Sequence, residues 1–167
     1  MQSKTFSETI ATLAVEAKTD PAAFSRLYDH YVQSVYRYIY SRVGSTHEAE
    51  DITSQTFMAA YEALGRYRER GQFSAWLFRI ARSKMNDHFR RSRREVGLEA
   101  AGEILEREDA LGALIRAEEL SRIRFLINHL NEEEEELIRL RYVADLSFVE
   151  MAELLGIRED AVKKSVY

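Results

Sequence analysis

Apolar positions recur at helical spacing along nearly the whole chain, and the alternation expected of strands is absent. Asp20-Pro21 predicts a helix start, an N-cap acceptor followed by a residue that gives up no needed donor in the first turn. Phe24, Leu27, Tyr28, Tyr31, Val35, Tyr38 and Ile39 then form one stripe, which reads as core, until Gly44 supplies a stop. Ser45 and Glu48 form an S-x-x-E capping box that opens a second helix with Ile52, Thr56, Ala59, Ala60 and Ala63 on one side, ending at Gly65. These two helices are expected to pack antiparallel. A third runs from about Ser74 to Arg94, with Leu77, Phe78, Ala81, Met85 and Phe89 on one side and Arg79, Arg82, Ser83, Asn86, Arg90 and Arg93 on the other.

The pattern weakens after Arg94. EVGLEAAGEILEREDALG, residues 95–112, is acidic, holds three Gly and has no aromatic, which predicts a linker. Periodicity returns with Leu114, Leu120, Ile123, Leu126, Ile127 and Leu130. Asn131 then caps a helix whose first turn carries a run of Glu, favoured there by the helix dipole and suited to repelling nonspecific DNA. In LSFVEMAELLGIREDAVKKSVY, Ser147 and Glu150 form another capping box and Gly156 separates two short helical patterns, the outline of a helix-turn-helix. Ala152 suits a tight crossing, Ile157 and Val162 are expected to plug the core, and Lys163 and Lys164 to face outward.

Charge sharpens this division. The chain of 167 residues has a formal net charge of -4, yet residues 1–94 carry +5 and residues 95–167 carry -9. Between Arg66 and Arg94 ten basic residues stand against two acidic ones, a net +8. A helix that is merely solvated gains from interspersed signs, whereas this one has almost no acid to pair with. Clustered Lys and Arg on one face are the electrostatic footprint of nucleic-acid binding. Tyr67, Phe73 and Trp76 read as core when taken singly. Interleaved with Arg66, Arg68 and Arg70 they also offer stacking surfaces beside phosphate contacts, as a single-strand binder requires.

Other chemistry is excluded. The chain has no Cys, so no disulfide or thiolate metal site is possible, and its four His lack ligand spacing. No Gly-rich phosphate loop, nucleophile with a His partner or paired carboxylates in an apolar setting is present. His88 reads as a half-exposed helix residue. No apolar run suits a signal peptide or a membrane span, so the expectation is a soluble, cytoplasmic protein that is not an enzyme and needs no cofactor or metal.

Taken in order, AEDITSQTF, FSAWLFRIARSKMNDHFRR and LSFVEMAELLGIREDAVKK resemble the extracytoplasmic-function branch of the bacterial sigma-70 family over residues 20–167. The resemblance implies an all-α chain of two small helical domains: a sigma2-like bundle at 1–94, the linker at 95–112, and a sigma4-like helix-turn-helix at 113–167. It implies a sigma factor that binds core RNA polymerase and directs promoter recognition and opening. By the same resemblance Asp51, Ser54 and Gln55 contact polymerase while Phe57 packs. Arg66, Arg68, Arg70, Trp76, Arg79, Arg82, Ser83, Asn86, Arg90 and Arg93 meet the single-stranded -10 element. Arg141, Arg158, Lys163 and Lys164 meet the duplex -35 element.

Three departures bear on these expectations. The family commonly has Asn where Ser83 stands and Gln-Glu at Ser54-Gln55. The chain also stops at Tyr167, inside the helix that reads the -35 element, which implies either a fragment or impaired -35 reading. An anti-sigma factor is a further expected partner, covering the basic face; alternatively the acidic linker itself covers it. Two rivals stay open: a regulator binding duplex DNA without polymerase, and a single-strand or RNA binding module using the first half alone.

Overall fold

The computed structural model describes residues 10–68, 72–95 and 130–167, and all regular structure within them is helical. Most of the expected linker, the expected helix through residues 114–129 and Arg70 lie outside these residues. Helix α1 occupies 10–16 and places Ile10, Leu13 and Ala14 in the core, joined by Ala17 from the turn after it. Helix α2 (Pro21–Val43) begins as expected, with Asp20 accepting from the Ala22 N–H at 2.9 Å. It ends at Gly44, whose φ of 71° is the left-handed conformation that glycine adopts without a Cβ penalty. Helix α3 (Thr46–Ala63) has half of the expected capping box. Ser45 accepts from the Glu48 N–H, while the Glu48 carboxylate turns to His88, 3.5 Å away. A 3-10 turn (Leu64–Arg66) follows, and the Lys18 ammonium ties the adjoining loop back to α1 through the Tyr67 carbonyl, 2.7 Å away.

Helix α4 (Phe73–Glu95) buries Leu77, Phe78, Ala81 and Met85 against α2 and α3, so its periodicity alone fixed its inner face. In the second half, helix α5 (Glu132–Ile138) has a complete capping box between Asn131 and Glu134. It runs into a π turn (Arg139–Val143), in which the Ala144 N–H reaches the Arg139 carbonyl and the Leu146 N–H the Leu140 carbonyl. Asp145 then takes a φ of 58°, a conformation short polar side chains tolerate better than most. Helices α6 (Phe148–Leu155) and α7 (Glu159–Val166) form the expected helix-turn-helix, with the Ser147/Glu150 capping box complete and Gly156 at φ 70° between them.

One expectation changes. Val162 is fully buried, but Ile157 is 46% exposed, because it directly follows the left-handed Gly156 and the turn carries it outward. The two halves meet. Leu137, Leu140, Met151, Leu154 and Val162 join the buried residues of α1–α4 in one continuous apolar cluster.

Candidate nucleic-acid interface

The outer face of α4 is the site the charge pattern pointed to. Arg79, Ser83, Asn86, Arg90 and Arg93 are exposed along it, and Arg82 is half-buried. Arg90 pairs with Asp87 one turn back. At the far end of α4, Arg42, Arg90, Arg93 and Arg94 line a cleft of about 760 Å³ whose opposite wall carries Glu132, Glu135 and Arg139.

The aromatics before and within α4 divide. Tyr67 and Phe73 are 5% and 3% exposed, so they are core, while Trp76 is half-buried. Trp76 lies 5.0 Å from the Tyr67 ring and 5.3 Å from Phe73, which leaves one partly open aromatic on a rigid base. Arg66 and Arg68 are exposed beside it.

On α3, Asp51, Ser54 and Gln55 point outward and Phe57 packs inward, edge-on to Tyr28 at 4.7 Å. Tyr28, Met58 and Tyr61 are 41%, 64% and 50% exposed, an apolar surface that sequence reasoning missed because Tyr28 belongs equally to the core stripe of α2. In the helix-turn-helix, Arg158, Lys163 and Lys164 are exposed. Lys163 binds the Glu159 carboxylate at 2.7 Å, and that hydrogen bond and charge raise its pKa. Arg141 has a different environment. It is half-buried, donates to the Leu146 carbonyl at 3.0 Å and lies 5.1 Å from the Phe148 ring, so it closes the turn between α5 and α6.

The largest departure is a polar seam between the halves. Glu136, last of the Glu run, is only 7% exposed. It accepts from the Tyr38 hydroxyl at 2.5 Å and from Arg42 at 2.9 Å, and lies 3.4 Å from Arg82. Burial, then the charge of Glu136, holds the Tyr38 pKa well above the ordinary phenol value. Further along, Ser74 donates to Glu150 at 2.5 Å, the Gln72 N–H to the Glu153 carboxylate at 2.7 Å, and Arg79 to the Glu153 carbonyl at 2.6 Å. Tyr31, raised likewise by burial and by Glu150, packs beside them. The available signal was Glu136 itself: it shares a helical face with Leu140, so it lies in the apolar stripe. Among the described residues no group of three or more His, Asp and Glu is placed to hold a metal ion, and no helix is long and apolar enough to cross a membrane.

Residues 27–95 match the family described as Sigma-70 region 2, and residues 120–167 match Sigma-70, region 4. The extracytoplasmic-function RNA polymerase sigma factor BldN of Streptomyces coelicolor is 39% identical over 154 residues, 87% of this chain and 56% of that protein. SigW of Bacillus subtilis, of the same description, is 31% identical over 166 residues, 90% of this chain and 86% of that protein. The chain thus spans little more than half the length of the first and most of the second. A solved structure of CnrH in complex with the cytosolic domain of CnrY is 25% identical with a TM-score of 0.62, covering 93% of this chain and 88% of that one.

Proposed function

Since the chain belongs to the extracytoplasmic-function sigma factors of the sigma-70 family, we propose that it binds core RNA polymerase in the cytoplasm and directs promoter recognition and opening. Its own side chains bind and capture strands, and polymerase performs the chemistry. The observation that carries this reading is the α4 surface: Trp76, partly open on a base of Tyr67 and Phe73, next to the exposed Arg66, Arg68 and Arg79. An aromatic offers an unstacked base its π-face, and the arginines offer the backbone charge, so Trp76 with Arg66, Arg68, Arg70, Arg79, Arg82, Ser83, Asn86, Arg90 and Arg93 takes the melted -10 strand.

Asp51, Ser54 and Gln55 contact polymerase, and the neighbouring Tyr28, Met58 and Tyr61 extend that surface. Arg158, Lys163 and Lys164 approach the -35 duplex, largely through phosphates, since Lys is a point charge without a fixed fork. Arg141, turned to Leu146 and Phe148, acts there by shaping the helix-turn-helix. The domain limits follow the sequence reading, 1–94 and 113–167 around a linker at 95–112. An anti-sigma factor is a further partner, supported by the likeness to CnrH, which was solved bound to the cytosolic domain of CnrY.

The test is a gel shift of the chain with bacterial core polymerase, with and without a fluorescent single-stranded -10 library. A stable complex that selects a short motif is expected. DNA binding without any binding to core would refute the sigma reading in favour of a free-standing regulator.

A further inference from the structure

The cleft at the far end of α4 is assembled from three separate parts of the fold. Arg90, Arg93 and Arg94 come from α4 and Arg42 from the last turn of α2, while Arg139 comes from the π turn and Glu132 and Glu135 from α5. The negative end of the α4 dipole accounts for the two arginines of its last turn. It does not account for Arg42 and Arg139, brought to the same concavity from elsewhere.

Nor does the cleft neutralise its own charge. Five arginines and two glutamates line it, a formal +3. Glu135 is taken by Arg139 at 2.6 Å, and Arg42 turns to Glu136 outside the lining at 2.9 Å. Among the described residues, Arg93, Arg94 and Glu132 have no ion-pair partner. A guanidinium held by one contact keeps further N–H donors, in a planar fork that fits phosphate oxygens in pairs. The volume of about 760 Å³ falls within the roughly 300–1,000 Å³ of small-molecule sites. The two walls also differ in kind. Arginines suit phosphate, whereas the free carboxylate of Glu132 opposite repels it and accepts from hydroxyls, as acidic residues do for the ribose of a bound nucleotide. Asn86 adds a donor and an acceptor, and Phe89 an apolar surface.

We propose that this cleft is a binding site for a nucleoside polyphosphate. Its phosphates meet Arg90, Arg93, Arg94 and Arg139, a ribose hydroxyl meets Glu132, and the base lies against Asn86 and Phe89. Arg90 and Arg93 also serve the -10 strand in the proposed function, so a bound nucleotide withdraws them from it. That consequence, unlike the site itself, rests on the assignment of the α4 face to DNA.

The test titrates ADP, GDP, pyrophosphate and adenosine into the full-length chain by calorimetry. At least one of the two nucleotides should bind, more tightly than pyrophosphate, with adenosine weakest. Arg94→Ala and Arg139→Ala, neither of them assigned to DNA, should each weaken nucleotide binding about tenfold, the loss of one hydrogen-bonded charge pair. Arg94 is exposed at the end of α4, so its variant tests the site even where Arg139→Ala loosens the π turn. Arg91→Ala removes the same charge from an exposed α4 position outside the lining and should leave affinity unchanged. Glu132→Ala should weaken the nucleotide but strengthen pyrophosphate, which loses a repulsion and no partner.

Absence of binding by both nucleotides would overturn the site. Nucleotide binding no tighter than pyrophosphate would overturn the ribose and base contacts, and an Arg91→Ala loss equal to that of Arg94→Ala would reduce the cleft to diffuse charge. With a labelled single-stranded oligonucleotide, saturating nucleotide should weaken strand binding in the parent chain but not in Arg94→Ala at the same concentration. A nucleotide that binds and leaves strand affinity intact would overturn the shared use of Arg90 and Arg93, while the site itself would stand.

Discussion

Tyr38→Phe isolates one hydrogen bond of the seam. The ring is fully buried and stands edge-on to Phe78 at 5.4 Å, and phenylalanine keeps that contact. What is lost is the donor to the Glu136 carboxylate, 2.5 Å away in a buried setting. Hydrogen bonds to charged groups contribute about 1.5–3 kcal/mol net, so the expected loss is about 2 kcal/mol. For a chain of this size that lowers the thermal midpoint by roughly 4–8 °C. Glu136→Gln keeps an acceptor for Tyr38 but removes the charge facing Arg42 and Arg82. Those side chains are 30% and 38% exposed, so solvent screens much of that loss, and about 1–2 kcal/mol remains. In the Glu136→Gln background the acceptor is neutral and the bond about half as strong, so Tyr38→Phe should cost only about 1 kcal/mol. The double-mutant cycle, read by denaturation followed through helical circular dichroism, should therefore give a coupling of about 1 kcal/mol. A neutral Tyr38→Phe, or an equal cost in both backgrounds, would refute the seam as described.

Asp51→Arg should weaken core polymerase binding in a fluorescence titration, by about tenfold where a charge-reversed contact costs about 1.4 kcal/mol; unchanged affinity would remove Asp51 from that surface. Trp76→Ala and Arg79→Ala should reduce promoter opening in a strand-melting assay more than they reduce polymerase binding, and equal loss in both would count against the strand-capture surface. Ser147→Ala removes an N-cap and should destabilise the chain by about 1 kcal/mol in urea denaturation. Tyr31 and Tyr38 should ionise only above the ordinary phenol range in an ultraviolet titration. Because their folded values lie above the unfolded one, the stability they contribute is complete below pH about 10 and is lost as pH rises through the folded values. Ionisation of either one in the ordinary phenol range would mean that it is not buried.

Local signals carried most of the fold. Asp20-Pro21, Gly44, the Ser147/Glu150 box and Gly156 specify helix ends through bonds made within a few residues, so sequence order suffices to read them. The inner face of α4 was legible for the same reason. What stayed hidden depends on long-range contact. Tyr67 and Phe73 have the same composition as a base-stacking platform, and only the fold decides that they lie beneath Trp76. Ile157 has the hydrophobicity of a core plug, but the backbone geometry of the preceding glycine turns it out. Glu136 was read with its neighbours as a charged helix start because the dipole argument covers all five equally. Its partners Tyr38 and Arg42 are 98 and 94 residues away.

The split between a basic first half and an acidic second half thus has two consequences that pull in opposite directions. A cationic face that grips phosphate also binds any other polyanion, since that attraction carries no sequence information. Glutamates on the attached half mask part of the face with charge that is always present at high effective concentration, because tethering makes the contact intramolecular. The contacts to Arg82 and Arg79 are partly exposed and therefore individually weak.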